Sequence, residues 1–139
     1  MILLDTSGLL AALFSDQRQH EACAEVLRST RGPFVLSPFV LAELDYLVSK
    51  LAGVEVELAL LDEVGRGSYL LAEFGADDIR AARDLIADYH DLGLGLADAS
   101  IAVLARRYKT LDILTLDERH FRVLRGPSGH PFRLLPRDV

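Results

Sequence analysis

Short runs of apolar residues alternate along the chain with segments in which apolar residues recur every three or four positions. The runs are too short for helices and lack polar alternation, which is typical of strands buried on both faces of a parallel sheet. Five strands are predicted, at Ile2–Leu4, Phe34–Leu36, Tyr69–Leu71, Asp112–Leu114 and Phe132–Leu134. The segments between them have helical periodicity, so the chain is predicted to alternate strands with helices.

The predicted helices span residues 9–14, 17–29, 38–52, 55–65, 79–89 and 98–108. Ser37 followed by Pro38 is a typical N-cap and first helical residue, and Gly53 is a typical stop for the helix that they begin. Strands separated by helices predict an α/β fold, a three-layer α/β/α sandwich with a parallel sheet of about five strands. The length and the absence of a linker or repeat predict a single domain over residues 1–139.

Composition narrows the class of protein. Half of the 139 residues are hydrophobic, but no stretch approaches the roughly 20 apolar residues of a membrane helix. The N-terminus has no basic flank and reaches Asp5 after three apolar residues, so no signal peptide is predicted. Cys23 is the only cysteine, which excludes an internal disulfide and a thiolate metal cluster. We therefore expect a cytoplasmic protein without membrane contact.

Three aspartates occupy positions where ligands are often bound. Asp5 follows the first strand and Asp117 lies just past the fourth, so both are expected at the carboxyl edge of the sheet, where open α/β sheets bind ligands. Asp98 opens the most apolar helix of the chain. Each also has an ordinary structural explanation, a turn or a helix cap. Singly, each is a weak signal.

Glu43 is harder to explain structurally. It comes three residues after Val40 and four before Leu47, so it is predicted to share the buried face of its helix. A carboxylate there is costly unless it is paired or bound to a metal. The alternative is a salt bridge to an arginine of another helix. Asp45, two positions further on, is expected to face outward.

The four acids can converge at one edge of the sheet, where like charges repel unless a cation lies between them. Oxygen ligands favour a hard divalent ion, and such an ion held by acids indicates phosphate chemistry. None of the four histidines has a paired metal-ligand spacing. His120 follows Asp117 closely, but an isolated histidine is more often a surface or packing residue.

The charge distribution is uneven. The whole chain carries a net charge of −6, yet residues 100–139 contain eight basic against four acidic residues. A basic region can bind phosphates in an acidic protein, because salt screens each field beyond about 10 Å at 0.1 M. Two members of this basic third, Arg119 and Arg122, are candidates for binding phosphates. The alternative is a solvated surface.

Four short motifs in order resemble those of PIN-domain nucleases. They are Ile2–Ser7, Leu41–Leu44, Leu96–Ile101, and Leu114–Asp117 with Phe121. The resemblance covers essentially the whole chain, whose length suits the VapC-type toxin ribonucleases of bacterial toxin–antitoxin modules. It implies RNA cleavage dependent on Mg²⁺ or Mn²⁺, a homodimer, and inhibition by a small cognate antitoxin. With RNA as the substrate, Arg119 and Arg122 are predicted to contact its backbone.

The resemblance also assigns roles to residues. It places Asp5, Glu43, Asp98 and Asp117 on the acidic positions that bind metal and catalyse cleavage, with Asp117 ranked last, and makes Ser7 and Thr115 supporting polar groups. Two other functions remain open at this point. A phosphatase of the haloacid-dehalogenase class needs a second acid where this chain has Ser7. A non-catalytic RNA-binding or protein-interaction domain could keep the acids for structural reasons.

Overall fold

A computed structural model describes all residues 1–139 and contains one five-stranded parallel sheet. The strands are β1 (Ile2–Leu4), β2 (Phe34–Leu36), β3 (Leu70–Leu71), β4 (Asp112–Leu114) and β5 (Arg133–Leu135). The predicted α/β fold with about five parallel strands is confirmed. The third strand begins one residue later than predicted, and the fifth lies one residue further along the chain.

Seven helices accompany the sheet. They are α1 (Thr6–Leu13), α2 (His20–Ser29), α3 (Pro38–Ala52), α4 (Val54–Gly65), α5 (Ala76–Asp88), α6 (Leu96–Tyr108) and α7 (Glu118–Phe121). Ser37 caps α3 by accepting a hydrogen bond from the Phe39 amide, as the Ser-Pro pair predicted. Helix α1 starts three residues earlier than predicted and α2 starts three residues later. None of the helices is long and apolar enough to span a membrane.

The order of the strands determines where a ligand can bind. The sheet order is β3-β2-β1-β4-β5. The chain forms one half of the sheet from β1 outward through β2 to β3, and then returns to the other side of β1 to form β4 and β5. By the right-handed crossover rule, this reversal places the connecting helices on opposite faces of the sheet. The loops that follow β1 and β4 therefore diverge, and the crevice between them is the usual ligand site of an open α/β sheet.

The central strand β1 is fully buried, so the loops that begin at its end start from a rigid part of the sheet. All three residues of β1 are at most 1% exposed, as expected for a strand covered on both faces. Helix α1 lies so close to β4 that a Cβ atom on Gly8 would stand 2.5 Å from the Leu114 carbonyl oxygen. Only a glycine allows this approach, and it holds the first turn of α1 against the end of β4.

A buried pair of hydroxyl groups joins the first turns of α3 and α6. The Oγ atoms of Ser37 and Ser100 lie 2.6 Å apart, and Ser100 also donates to the Ala97 carbonyl oxygen at 2.6 Å. Both serines are at most 1% exposed. A bond in such an environment is costly to leave unmade, so it fixes the distance between the two helices that carry Glu43 and Asp98.

Candidate metal centre

Asp5 lies directly beyond β1 and is 5% exposed. Its amide donates to the Leu114 carbonyl oxygen at 3.0 Å, which continues the sheet ladder into the site. The hydroxyl groups of Ser7 and Thr115 both donate to the same carboxylate oxygen, Oδ2, at 2.9 and 2.6 Å. Burial raises the pKa of Asp5 to about 6, although these two hydrogen bonds act in the opposite direction.

Ser7 and Thr115 connect the two loops of the crevice. While each hydroxyl donates to Asp5, it also accepts a backbone amide from the loop after β4. The Leu116 amide donates to Ser7 Oγ at 3.0 Å, and the Asp117 amide donates to Thr115 Oγ1 at 2.9 Å. The two residues therefore hold Asp5 and the start of the Asp117 segment in a fixed relation.

Asp98 is the third residue of α6 and does not cap it, because Gly95 occupies the N-cap. The capping explanation that the sequence allowed is therefore wrong. Burial raises the pKa of Asp98, a hydrogen bond from His120 opposes the rise, and the charges of Asp117 and Glu43 add to it. The charge of Asp98 in turn raises the pKa of Asp5. The four predicted acids thus influence one another electrostatically across the crevice.

Glu43 was predicted to lie on the buried face of α3, and this prediction is wrong. Val40 and Leu44 are fully buried, but Glu43 is exposed and accepts a hydrogen bond from Thr6 Oγ1 at 2.8 Å. The predicted outward position of Asp45 is also wrong: it is half-buried, and its Oδ1 atom is enclosed without a hydrogen-bond partner. Glu43 forms no ion pair with any arginine, so the alternative of a structural salt bridge is also wrong.

Asp117 uses its two oxygens differently. Oδ1 accepts the Arg119 amide at 3.0 Å and so caps the one-turn helix α7. Oδ2 faces the crevice, 3.5 Å from His120 Nδ1. The capping role that the sequence allowed is therefore real, but it leaves one carboxylate oxygen directed toward Asp98 and His120.

His120 is the residue at this site that the sequence did not single out. Its Nδ1 atom lies 2.8 Å from Asp98 Oδ2, and its side chain is only 13% exposed. In the tautomer with a proton on Nδ1, the ring donates a hydrogen bond to Asp98 and lies beside a second carboxylate, that of Asp117. The other ring nitrogen, Nε2, is buried without a partner. The available signal was its spacing of three from Asp117, which places both on one face of a short helix.

The donor set fits a divalent cation. One ligand atom each from Asp98, Asp117 and His120 can be chosen so that all lie within 4.8 Å of one another, whereas Asp5 and Glu43 are not part of this group. Asp5 is buried with a raised pKa, and its hydrogen-bond donors, the hydroxyls of Ser7 and Thr115 and the backbone of Thr6, are all neutral. No lysine or arginine forms an ion pair with Asp5, Glu43, Asp98 or Asp117. Buried or half-buried carboxylates without a lysine or arginine partner, such as Asp5 and Asp98, are typical of a cation site.

The two arginines predicted to bind RNA lie at the rim of this region. Arg119 is exposed, and its Nη2 atom is 3.4 Å from the Leu92 carbonyl oxygen. Arg122 forms ion pairs with Glu118 and Asp138 at 3.0 and 2.7 Å. These pairs compensate much of the charge of Arg122, whereas Arg119 has no acidic partner. Their contact with RNA stays a prediction.

Known proteins are similar to this chain in sequence and in fold. The PIN domain family matches residues 2–126. The chain is 44% identical to ribonuclease VapC26 of Mycobacterium tuberculosis over 135 residues, which cover 97% of this chain and all of that protein.

Solved structures agree on the fold. The VapC20 toxin of M. tuberculosis, which cleaves the sarcin–ricin loop, superposes with a TM-score of 0.78 at 18% identity, covering 84% of this chain and 90% of that one. A toxin–antitoxin complex from Klebsiella pneumoniae gives a TM-score of 0.68 at 20% identity, covering 91% of this chain and 95% of that one. The resemblance predicted from the four motifs is confirmed, and the chain belongs to the PIN-domain family, in the group of the VapC ribonucleases.

Proposed function

We propose that this protein is a ribonuclease that cleaves RNA phosphodiester bonds with a divalent ion held by Asp5, Glu43, Asp98 and Asp117, and that it acts in the cytoplasm as the toxin of a toxin–antitoxin pair. The observation that carries the proposal is the group of electrostatically coupled carboxylates at the switch point of the sheet, none of which forms an ion pair with a lysine or arginine. The high identity to a VapC ribonuclease supports the reaction class. No observation favours the non-catalytic alternative.

The proposed ion is Mg²⁺ or Mn²⁺, because carboxylate oxygens suit hard divalent cations better than soft ones. Such an ion, when bound, supplies Lewis-acid polarisation of a phosphoryl oxygen and a more acidic water. The residues of the chain prepare the site. Ser7 and Thr115 hold one oxygen of Asp5, while a hydrogen bond with His120 orients Asp98.

The Thr6 hydroxyl orients Glu43 in the same way as the hydroxyls of Ser7 and Thr115 orient Asp5. Its hydroxyl donates to Oε1 at 2.8 Å and draws an otherwise mobile, exposed side chain toward the crevice. Neutral donors of this kind orient a carboxylate without cancelling its charge. The site thus keeps its negative charge for a cation while the geometry of each ligand is fixed in advance, as catalysis by preorganised groups requires.

The proposed protein partners are a small antitoxin and a second copy of this chain. The first is supported by the structural likeness to a chain of a toxin–antitoxin complex. Helices α3 and α4 also expose large apolar side chains, including Tyr46, Leu51, Val54 and Leu58, each more than half accessible. Exposed apolar side chains on these two adjacent helices support an interface with another protein.

The test is cleavage of total cellular RNA by the purified protein, with mapping of the new 5′ ends. We expect cleavage with Mg²⁺ or Mn²⁺ and none with EDTA. Asp98→Asn should reduce the rate by orders of magnitude, whereas Asp91→Asn, at an exposed site on another loop, should not change it. Equal cleavage in EDTA, or by the Asp98 variant, would refute the metal-dependent mechanism.

A further inference from the structure

A large cleft on the surface lies beside the acidic site. It has a volume of about 600 Å³, and Thr115 forms part of its wall. The Thr115 hydroxyl is the group that donates to Asp5 at 2.6 Å, so the cleft begins one side chain away from the buried carboxylate. Its volume is within the range of about 300–1,000 Å³ that is usual for ligand sites. The cleft has no role in the mechanism proposed for the metal site.

Two arginines give the cleft its charge. Arg18, from the connection between α1 and α2, and Arg137, which follows β5, both line it. Both are exposed, and neither forms an ion pair with an acid of this chain, whereas seven of the fifteen basic residues do. Their guanidinium groups are therefore free to bind an anion from outside the chain.

Glu118, the acid that lines the same cleft, already forms an ion pair with Arg122. Glu118 accepts hydrogen bonds from Arg122 Nε and Nη2 at 3.3 and 3.0 Å, and the same guanidinium binds both oxygens of Asp138 at 2.7 Å. The N-terminal end of α2 also lines the cleft, through its N-cap residue Gln19 and through Ala22 in its first turn. Because a helix N-terminus favours negative charge, this end of α2 adds to the positive field of the two free arginines.

We propose that this cleft binds the RNA backbone next to the bond that is cut, with Arg18 and Arg137 as ligands of flanking phosphates. The inference rests on the proposed ribonuclease function. A guanidinium group matches a phosphate with two parallel hydrogen bonds, which suits arginine better than lysine. A phosphate chain that reaches Asp5 must pass Thr115, and the cleft offers it a positively charged path at that point. Arg122 contributes indirectly, because its ion pair with Glu118 offsets part of that negative charge.

The first experiment compares two double variants with the same loss of charge. One is Arg18→Ala with Arg137→Ala, and the control is Arg31→Ala with Arg125→Ala, which removes two exposed arginines that have no acidic partner and lie outside the cleft. Steady-state cleavage of single-stranded RNA is measured with Mg²⁺ over a range of salt concentrations. All variants are checked for an unchanged melting temperature.

The cleft variant should raise KM ten- to a hundredfold, with a smaller effect on kcat. The slope of log(kcat/KM) against log[salt] should become shallower by about 1.4, because each phosphate contact on a single strand contributes about 0.7. The control pair should change KM less than twofold and should leave the slope near that of the wild type.

A second pair of variants tests the cleft without altering any arginine. Ala22→Glu places a carboxylate on the cleft wall, and Ala22→Gln places a neutral group of the same shape there. Ala22 lies in the first turn of α2, where glutamate is compatible with the helix. The glutamate variant should have a higher KM than the glutamine variant by at least fivefold, a difference that falls as salt rises.

The outcomes separate this inference from the proposed function. If the wild type shows no metal-dependent cleavage of RNA, the proposed function fails and the inference falls with it. If the wild type cleaves RNA but the cleft variants have the same KM and salt slope as their controls, the inference alone is overturned. It is also overturned if the cleft variants lose binding to an antitoxin and keep their affinity for RNA, since the cleft is then a protein-binding surface.

Discussion

Replacing Asp5 by asparagine should stabilise the metal-free protein at neutral pH. The two hydroxyls of Ser7 and Thr115 donate to the same oxygen, Oδ2, so the carbonyl oxygen of an asparagine can accept both. The amide nitrogen then takes the place of the second oxygen, where it faces the charges of the neighbouring acids. The substitution therefore keeps the shape and the hydrogen bonds of the site and removes one buried negative charge.

The magnitude follows from the pKa of Asp5. Burial raises it from 3.8 to about 6 in the folded protein. Since one pKa unit corresponds to about 1.4 kcal/mol, the ionised form should destabilise the folded state by roughly 3 kcal/mol. A raised pKa means that the folded state is favoured while the group is protonated. This stability is fully present below pH 3.8 and is lost as the pH rises through about 6.

The assay is urea unfolding in EDTA, followed by circular dichroism between pH 3.5 and pH 8. Wild type and Asp5→Asn should have similar free energies of unfolding at the acid end, and the variant should be more stable by up to roughly 3 kcal/mol at pH 8. Asp16→Asn, at an exposed aspartate without an ion pair, is the matched control and should track the wild type.

Addition of Mg²⁺ should reverse the order of stability. The ion binds the folded state alone and should therefore stabilise the wild type at neutral pH by linkage, with a much smaller effect on Asp5→Asn. A variant that is no more stable than the wild type at pH 8 in EDTA would contradict the account of Asp5 as a destabilised, buried carboxylate. An equal response of both proteins to Mg²⁺ would contradict its role as a metal ligand.

Three further substitutions test other parts of the site. Glu43→Gln should change the unfolding free energy in EDTA by less than about 0.5 kcal/mol, because Glu43 is exposed, yet should reduce RNA cleavage by orders of magnitude. His120→Asn, which can present a donor near the position of Nδ1, should retain Mg²⁺ affinity in calorimetry better than His120→Ala. Gly8→Ala should lower the unfolding free energy by about 1–3 kcal/mol because its Cβ meets the backbone of β4, whereas Gly65→Ala, which meets nothing, should not.

The strands and the outline of the site could be predicted because their signals are local. An apolar run without alternation is enough to place β1, and an acid directly after it must lie at the carboxyl edge of a parallel sheet. The order of the four short motifs along the chain also indicated the PIN-domain family. The boundaries of α1 and α2 were predicted less accurately than the strands. Gln19, just before α2, adopts a left-handed conformation that its residue type does not indicate.

The environment of Glu43 could not be predicted, and the geometry of α3 shows why. Val40, Leu44 and Val48 form the buried stripe, as periodicity predicts. At about 100° per residue, Glu43 and Asp45 both lie roughly 100° from the centre of that stripe, on opposite sides. Periodicity cannot distinguish them. Helix α4 packs beside α3 and covers the side that carries Asp45, so only the tertiary structure makes one acid exposed and the other half-buried.

The choice of hydrogen-bond donors at this site explains why the charges of the chain are arranged as they are. An arginine beside Asp5 or Glu43 would stabilise the carboxylate and compete directly with a metal ion. The chain instead uses the hydroxyls of Thr6, Ser7 and Thr115, which orient the acids and leave their charge in place. Two free positive charges, Arg18 and Arg137, lie outside the site, at the cleft beside it. An anionic substrate can then be attracted to the rim while the centre stays negative enough to bind a cation.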